Sequence, residues 1–133
     1  MKVHQSQFHE LIYDNRSSFL ESKWSLETDQ MTNDEFKQEL RIYLQFVEKY
    51  QVRLVLFDFR NFLFTITPDM QTWIDDEISA TEKLIIHQQA ILMPGDFIAE
   101  LGIEQTIEEP NNQELNIKLF KVHERAFQWL GLV

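Results

Sequence analysis

Cysteine is absent from the sequence, and glycine and proline occur only three times each. Without cysteine there is no disulfide framework, no thiolate zinc site and no thiol nucleophile. Gly95, Gly102 and Gly131 stand apart from one another, so no loop can wrap a phosphate in the manner of a Walker or dinucleotide fingerprint. Positive charge is scarce: 12 Lys and Arg face 22 Asp and Glu, a net charge of −10. With no basic run in the chain, phosphate backbones and anionic membrane surfaces are disfavoured partners. Long apolar runs are missing too. Leu54–Phe57 and Ala90–Met93 fall far short of the roughly 20 residues that cross a bilayer, so no membrane span is expected. The opening MKVHQSQFHE lacks an apolar secretory core, which predicts a cytoplasmic protein.

Apolar material is nevertheless ample. The chain has 133 residues, 44% of them hydrophobic, with eleven Phe and three Trp, enough for one packed domain spanning residues 1–133. Phe8–Asp14 and Phe19–Trp24, separated by the polar Asn15–Ser18, predict a β-hairpin. Thr32 followed by Glu35 has capping-box spacing, and Phe36, Leu40, Tyr43, Leu44 and Val47 share one helical face to about Tyr50. Val52–Phe57 is apolar at nearly every position, as a central strand covered on both faces requires.

Thr67-Pro68 places a cap residue before a first-turn proline, and Met70, Trp73, Ile74 and Ile78 continue as the second helix. Ala90–Met93 is a second buried strand. Asp96 caps a third helix carrying Phe97, Ile98 and Leu101, which Pro110 breaks. Leu115, Ile117 and Leu119 alternate with polar residues, and Val122 to Leu130 form a closing helix. The expected architecture is α/β in the order ββαβαβαβα: a mixed, mainly parallel five-stranded sheet with four helices. Ligands of such sheets lie beyond the carboxyl ends of the strands, here Asp58–Thr67, Pro94–Asp96 and Lys121–His123. The hairpin edge leaves room for a homodimer through strand pairing or exposed aromatics.

No constellation in the sequence dictates a reaction, and no catalytic residue, cofactor or metal is assigned. The four histidines, His4, His9, His87 and His123, fall on separate elements without metal-ligand spacing and read as surface residues. No GxSxG elbow occurs, and the Glu104–Glu109 carboxylates read as solvated surface. The informative stretch is Asp58–Thr67. Asp58 and Arg60 are expected to pair or cap locally, the phenylalanines to pack, and Thr67 to satisfy open helix N–H groups. Functionally, a hydroxyl at a helix N-terminus suits a phosphoryl group. Thr67 and Thr65 are therefore the candidate phosphoacceptor or switch positions. Asp58, Arg60, Asn61, Phe62, Phe64, Asp69, Trp73 and Asp96 form the candidate interaction or ligand edge. Phe62, Phe64 and Trp73 could alternatively line an apolar cavity.

The element order and the run Val55-Leu56-Phe57-Asp58 resemble the STAS/SpoIIAA-like family. Trp24, Met31–Phe36, Thr67–Trp73 and Ile103–Glu109 resemble in particular small uncharacterised bacterial STAS-like domain proteins, over nearly the whole chain. The resemblance implies a non-enzymatic regulatory or protein-interaction module akin to anti-sigma-factor antagonists. In that family a Ser or Thr at the start of the second helix is phosphorylated, and Thr67 is the nearest counterpart. The family's Asp-Ser-Ser or Asp-Ser-Gly junction is replaced here by Thr67-Pro68. A related fold in CRAL-TRIO lipid-transfer domains makes a carrier or sensor of a small apolar ligand the alternative.

Overall fold

The computed structural model describes every residue from Met1 to Val133. Its sheet has six strands in strictly sequential order: β1 Lys2–Gln5, β2 His9–Asp14, β3 Phe19–Trp24, β4 Leu54–Asp58, β5 Gln88–Leu92 and β6 Ile117–Phe120. β1–β2 and β2–β3 are antiparallel, and the remaining pairs are parallel. The α/β class and mixed sheet agree with the sequence; the strand count does not. The sixth strand is β1, which carries only one aliphatic residue inside the strand, Val3, and so gives no period-2 signal. It pairs along β2 with a register irregularity between Lys2 and His4. The outer edge of the hairpin, expected to be open for dimer pairing, is thus already occupied, and the bulged β1 is the new edge.

Helices follow the predicted punctuation. Thr32 Oγ1 accepts from the Glu35 N–H at 3.1 Å and Glu35 Oε1 from the Thr32 N–H at 2.9 Å, a complete capping box on α1, Asn33–Tyr50. Gln51, in the left-handed region at φ 49°, ends it. α2 Pro68–Ile74, a π-helical turn Asp75–Ser79 and α3 Ala80–Ile85 follow without a break, one rod where a single helix is expected. α4 Phe97–Ile107 starts at Asp96, whose carboxylate accepts from the Ala99 N–H at 2.9 Å. The one-turn α5 Pro110–Gln113 is an addition to the expected four helices, and α6 His123–Leu130 closes the chain.

Sequential parallel strands joined by crossovers of one hand place every crossover helix on the same face. The side-chain clusters agree. Leu20, Val55, Phe57 and Ile91 pack with Phe36, Leu40, Tyr43, Ile74, Ile78, Ala99 and Ile103 in one large core. The alternate residues Phe19, Leu56, Ala90 and Leu92 face α6 through Ala126 and Leu130. Sequestering large side chains such as Trp24, Phe36 and Phe62, all 2% exposed or less, contributes about 2 kcal/mol each. No helix is long and apolar enough to cross a membrane.

Candidate functional site

The loop leaving β4 is tied down at its base. Asp58 is buried and takes a fork from Arg60, with Nε at 3.0 Å on Oδ1 and Nη2 at 2.8 Å on Oδ2, plus the Arg60 backbone N–H at 3.2 Å. Burial alone would raise the Asp58 carboxyl, but the Arg60 hydrogen bonds and charge outweigh it and hold it below its ordinary range. The expected local pairing is therefore the one that forms. Glu21 lies on the same sheet face, raised chiefly by its own burial, with His123 Nε2 3.9 Å away.

Phe62 and Phe64 are fully committed to the core. Phe62 sits against Trp24 and Phe59, with centroids 5.5 and 4.7 Å apart, and Phe64 stacks on Phe36 at 4.5 Å. Asn61 is exposed beside them. Trp73 lies apart from this stack, half-buried, beneath Lys37 and Arg41 at 5.4 and 5.3 Å. The three rings expected to line one cavity are thus not one wall. The apolar pocket that reaches the core is elsewhere, about 60 Å³ lined by Phe57, Ile78, Glu82, Gln89 and Ile103 among others. That is room for a few waters at most. The largest groove, about 950 Å³, opens at the opposite end between the hairpin turn and Phe127, remote from the expected residues.

Thr65, Thr67 and Asp69 are exposed around the start of α2. Contrary to the capping role expected of it, the Thr67 hydroxyl makes no cap hydrogen bond. Pro68 has already removed one open N–H from the first turn, and the Gln71 N–H bonds the Thr67 carbonyl at 2.9 Å. The side chain is left free. This segment lies directly on α4: a Cβ at Gly102 would meet Ile66 Cβ at 3.2 Å, and Gln71 Nε2 donates to Gln105 Oε1 at 2.9 Å.

α4 carries apolar residues on its outer as well as its inner side. It buries Ala99, Gly102, Ile103 and Thr106 and leaves Phe97, Ile98 and Leu101 exposed at 75%, 51% and 39%. Glu100 and Glu104 on this helix, and Glu108 at its C-terminal cap, have no ionic partners.

Two buried polar clusters escape sequence reasoning. His9 is 2% exposed, which overturns its assignment to the surface: β1 covers it, and its ring stacks on Trp24 at 3.9 Å. His9 Nδ1 lies 3.3 Å from Glu39 Oε1, and Nε2 lies 2.6 Å from Ser22 Oγ. Trp24 Nε1–H donates to Ser22 Oγ at 3.0 Å. One assignment satisfies all of these: the Ser22 hydroxyl donates to Nε2, and Nδ1–H donates to the carboxylate. Desolvation holds the His9 ring below its ordinary pKa, while both histidines draw Glu39 below its own against its burial. The connectivity is that of a serine–histidine–carboxylate relay. Ser22 is 0% exposed, however, so no substrate carbonyl reaches it, and the relay is a structural network.

In the second cluster Tyr43 Oη donates to Glu82 Oε2 at 2.6 Å, and burial pushes the Glu82 carboxyl up to about 7. Nearby, Asn112 Nδ2 donates to Ser79 Oγ at 2.6 Å, and the Asp75 carboxylate accepts the Asn111 and Asn112 N–H groups at 3.1 and 2.9 Å. These contacts fasten the π turn to α5. The buried Gln89 Oε1 finds no partner.

Compared with known proteins, the chain matches no family, no curated protein and no solved structure, so its own geometry carries the functional conclusion.

Proposed function

We propose that this chain is a non-enzymatic, regulatory protein-interaction module that docks a partner through the outward face of α4 and the adjoining Thr65–Asp69 segment. The observation that carries the reading is the grouped exposure of Phe97, Ile98 and Leu101 at the start of α4. Isolated exposed apolar residues are ordinary; three within five residues of one helix support an interaction surface. Glu100, Glu104 and Glu108 border them. The partner therefore offers an apolar groove edged by Lys or Arg. A net charge of −10 works against a second copy of this chain at the same face.

The STAS/SpoIIAA-like resemblance supports the same reading, because the switch threonine of that family falls at Thr67, at the rim of this patch. A phosphoryl group on Thr67 or Thr65 would add about two negative charges there. With Asp69 also exposed, it would alter the fit of a basic-edged partner.

The test is affinity capture from cells that make the protein, comparing wild type with Phe97→Asp/Leu101→Asp. The expected result is one stoichiometric partner, bound more weakly at high salt and lost in the double variant. Equal recovery by both baits, with the variant folded, would exclude this face.

A further inference from the structure

Three donor atoms converge where β1, β2 and α1 meet: His4 Nε2, His9 Nδ1 and a Glu39 carboxylate oxygen all lie within 4.8 Å of one another. Glu39 Oε1 is 2.8 Å from His4 Nε2 and 3.3 Å from His9 Nδ1. In a tetrahedral zinc site with bonds of about 2.0–2.1 Å, neighbouring ligand atoms stand roughly 3.3 Å apart. The spacing needs adjustment of about an ångström, within the reach of side-chain rotation. We propose that His4, His9 and Glu39 form a binding site for a first-row divalent cation of the zinc type.

The convergence of these donors in a buried corner is the strongest argument. Glu39 is 7% exposed, and the only cationic-type partners within ion-pair distance are the two histidine rings. Lys37 and Arg41, its neighbours on α1, reach over Trp73 instead, and Lys2 pairs with Glu10 at 3.6 Å. Two imidazole nitrogens and one carboxylate oxygen therefore converge with no lysine or arginine among them, an arrangement that a divalent ion can bridge. The donor set of two imidazoles and one carboxylate, without thiolate, suits zinc, nickel, cobalt or ferrous iron rather than calcium or magnesium.

The surroundings are those of a supported ligand. The His9 ring is clamped flat against Trp24, 12° from parallel, and its far nitrogen is held by Ser22, the outer contact that orients a metal-bound histidine. The Ser22 hydroxyl donates or accepts, so it serves either tautomer. On coordination each ring moves its proton to the nitrogen away from the ion: His9 then donates from Nε2 to Ser22, and His4 carries its proton on Nδ1. Two N–H···O contacts give way to metal bonds. The ligands come from three different elements, so an ion would pin the edge strand β1 to α1. The His4 side chain, 18% exposed, leaves a path from solvent.

The test is titration of chelator-stripped full-length protein with zinc chloride by calorimetry, and with cobalt chloride by visible absorption. The variants are His4→Ala, Glu39→Gln, His87→Ala and His123→Ala. The proposal expects one ion per chain, a rise in unfolding temperature when it binds, and loss of affinity of about 100-fold or more in His4→Ala and Glu39→Gln. His87→Ala and His123→Ala should bind as wild type does. His4 is on the surface strand and only partly buried, so His4→Ala remains informative even where Glu39→Gln fails to fold. Absence of binding, binding unchanged in folded His4→Ala, or binding lost in His123→Ala would each overturn the site.

Discussion

Replacing Glu82 with glutamine should remove a pH dependence of stability that wild type carries. The group is fully buried, and its folded pKa is raised from 4.5 to about 7, so the native chain holds this proton more tightly than the unfolded chain. Its stabilisation is fully present below the ordinary carboxyl range and is lost as pH rises through about 7. Between pH 5.5 and 8.5 the shift from 4.5 to about 7 corresponds to a loss of about 2 kcal/mol. For a domain of this size that is roughly 8 °C in unfolding temperature. Glutamine keeps the carbonyl that accepts from Tyr43 Oη and cannot ionise. His9, whose pKa is lowered by burial, acts in the opposite direction and stabilises as pH rises through its ordinary value. It is common to both proteins and cancels in their difference. Urea unfolding of wild type and Glu82→Gln at several pH values measures that difference. The variant should gain on wild type by about 2 kcal/mol from pH 5.5 to 8.5. A constant difference across the range would refute the buried, proton-holding role of Glu82.

Two threonines in the same cap position should respond differently. Thr32→Ala breaks the capping box of α1 and should cost about 1 kcal/mol in chemical unfolding, whereas Thr67→Ala, which loses no cap hydrogen bond, should cost less than about 0.5 kcal/mol. Gly102→Val should destabilise by about 2 kcal/mol, because even a Cβ there meets Ile66 at 3.2 Å and its backbone at 3.4 Å; unchanged urea midpoints would show that Ile66 yields freely. Phe97→Asp/Leu101→Asp should stay within about 0.5 kcal/mol of wild type, since both side chains face solvent; a large loss would mean that the face is needed for folding.

What the sequence made legible was whatever local chemistry enforces. The capping box at Thr32, the Asp96 cap, the Asn15–Ser18 turn and the apolar central strands each carry a signal within a few residues, and each forms where expected. β1 was hidden because KVHQ is short, and it is held by its partner β2 rather than by a period of its own. With β1 missing, nothing indicated that His4 and His9 meet over Glu39, which is distant in sequence. Glu39 and Glu82, both buried, carry no signal in the sequence, since a single carboxylate on a helix looks the same whether buried or exposed. α4 failed in another way. Its apolar residues lie on its outer as well as its inner side, so periodicity could not say that small side chains, Ala99 and Gly102, would face the core and leave Phe97 and Ile98 outside.

The central claim, that the outward face of α4 is a docking surface, is tested most directly by site-specific photocrosslinking in the cells that make the protein. A benzophenone side chain is placed at position 97, and a control at exposed Glu124 on α6, across the sheet. The account predicts one discrete protein adduct from position 97, diminished by Thr67→Glu, and none from position 124. No adduct at 97, or the same adducts from both positions, would contradict it.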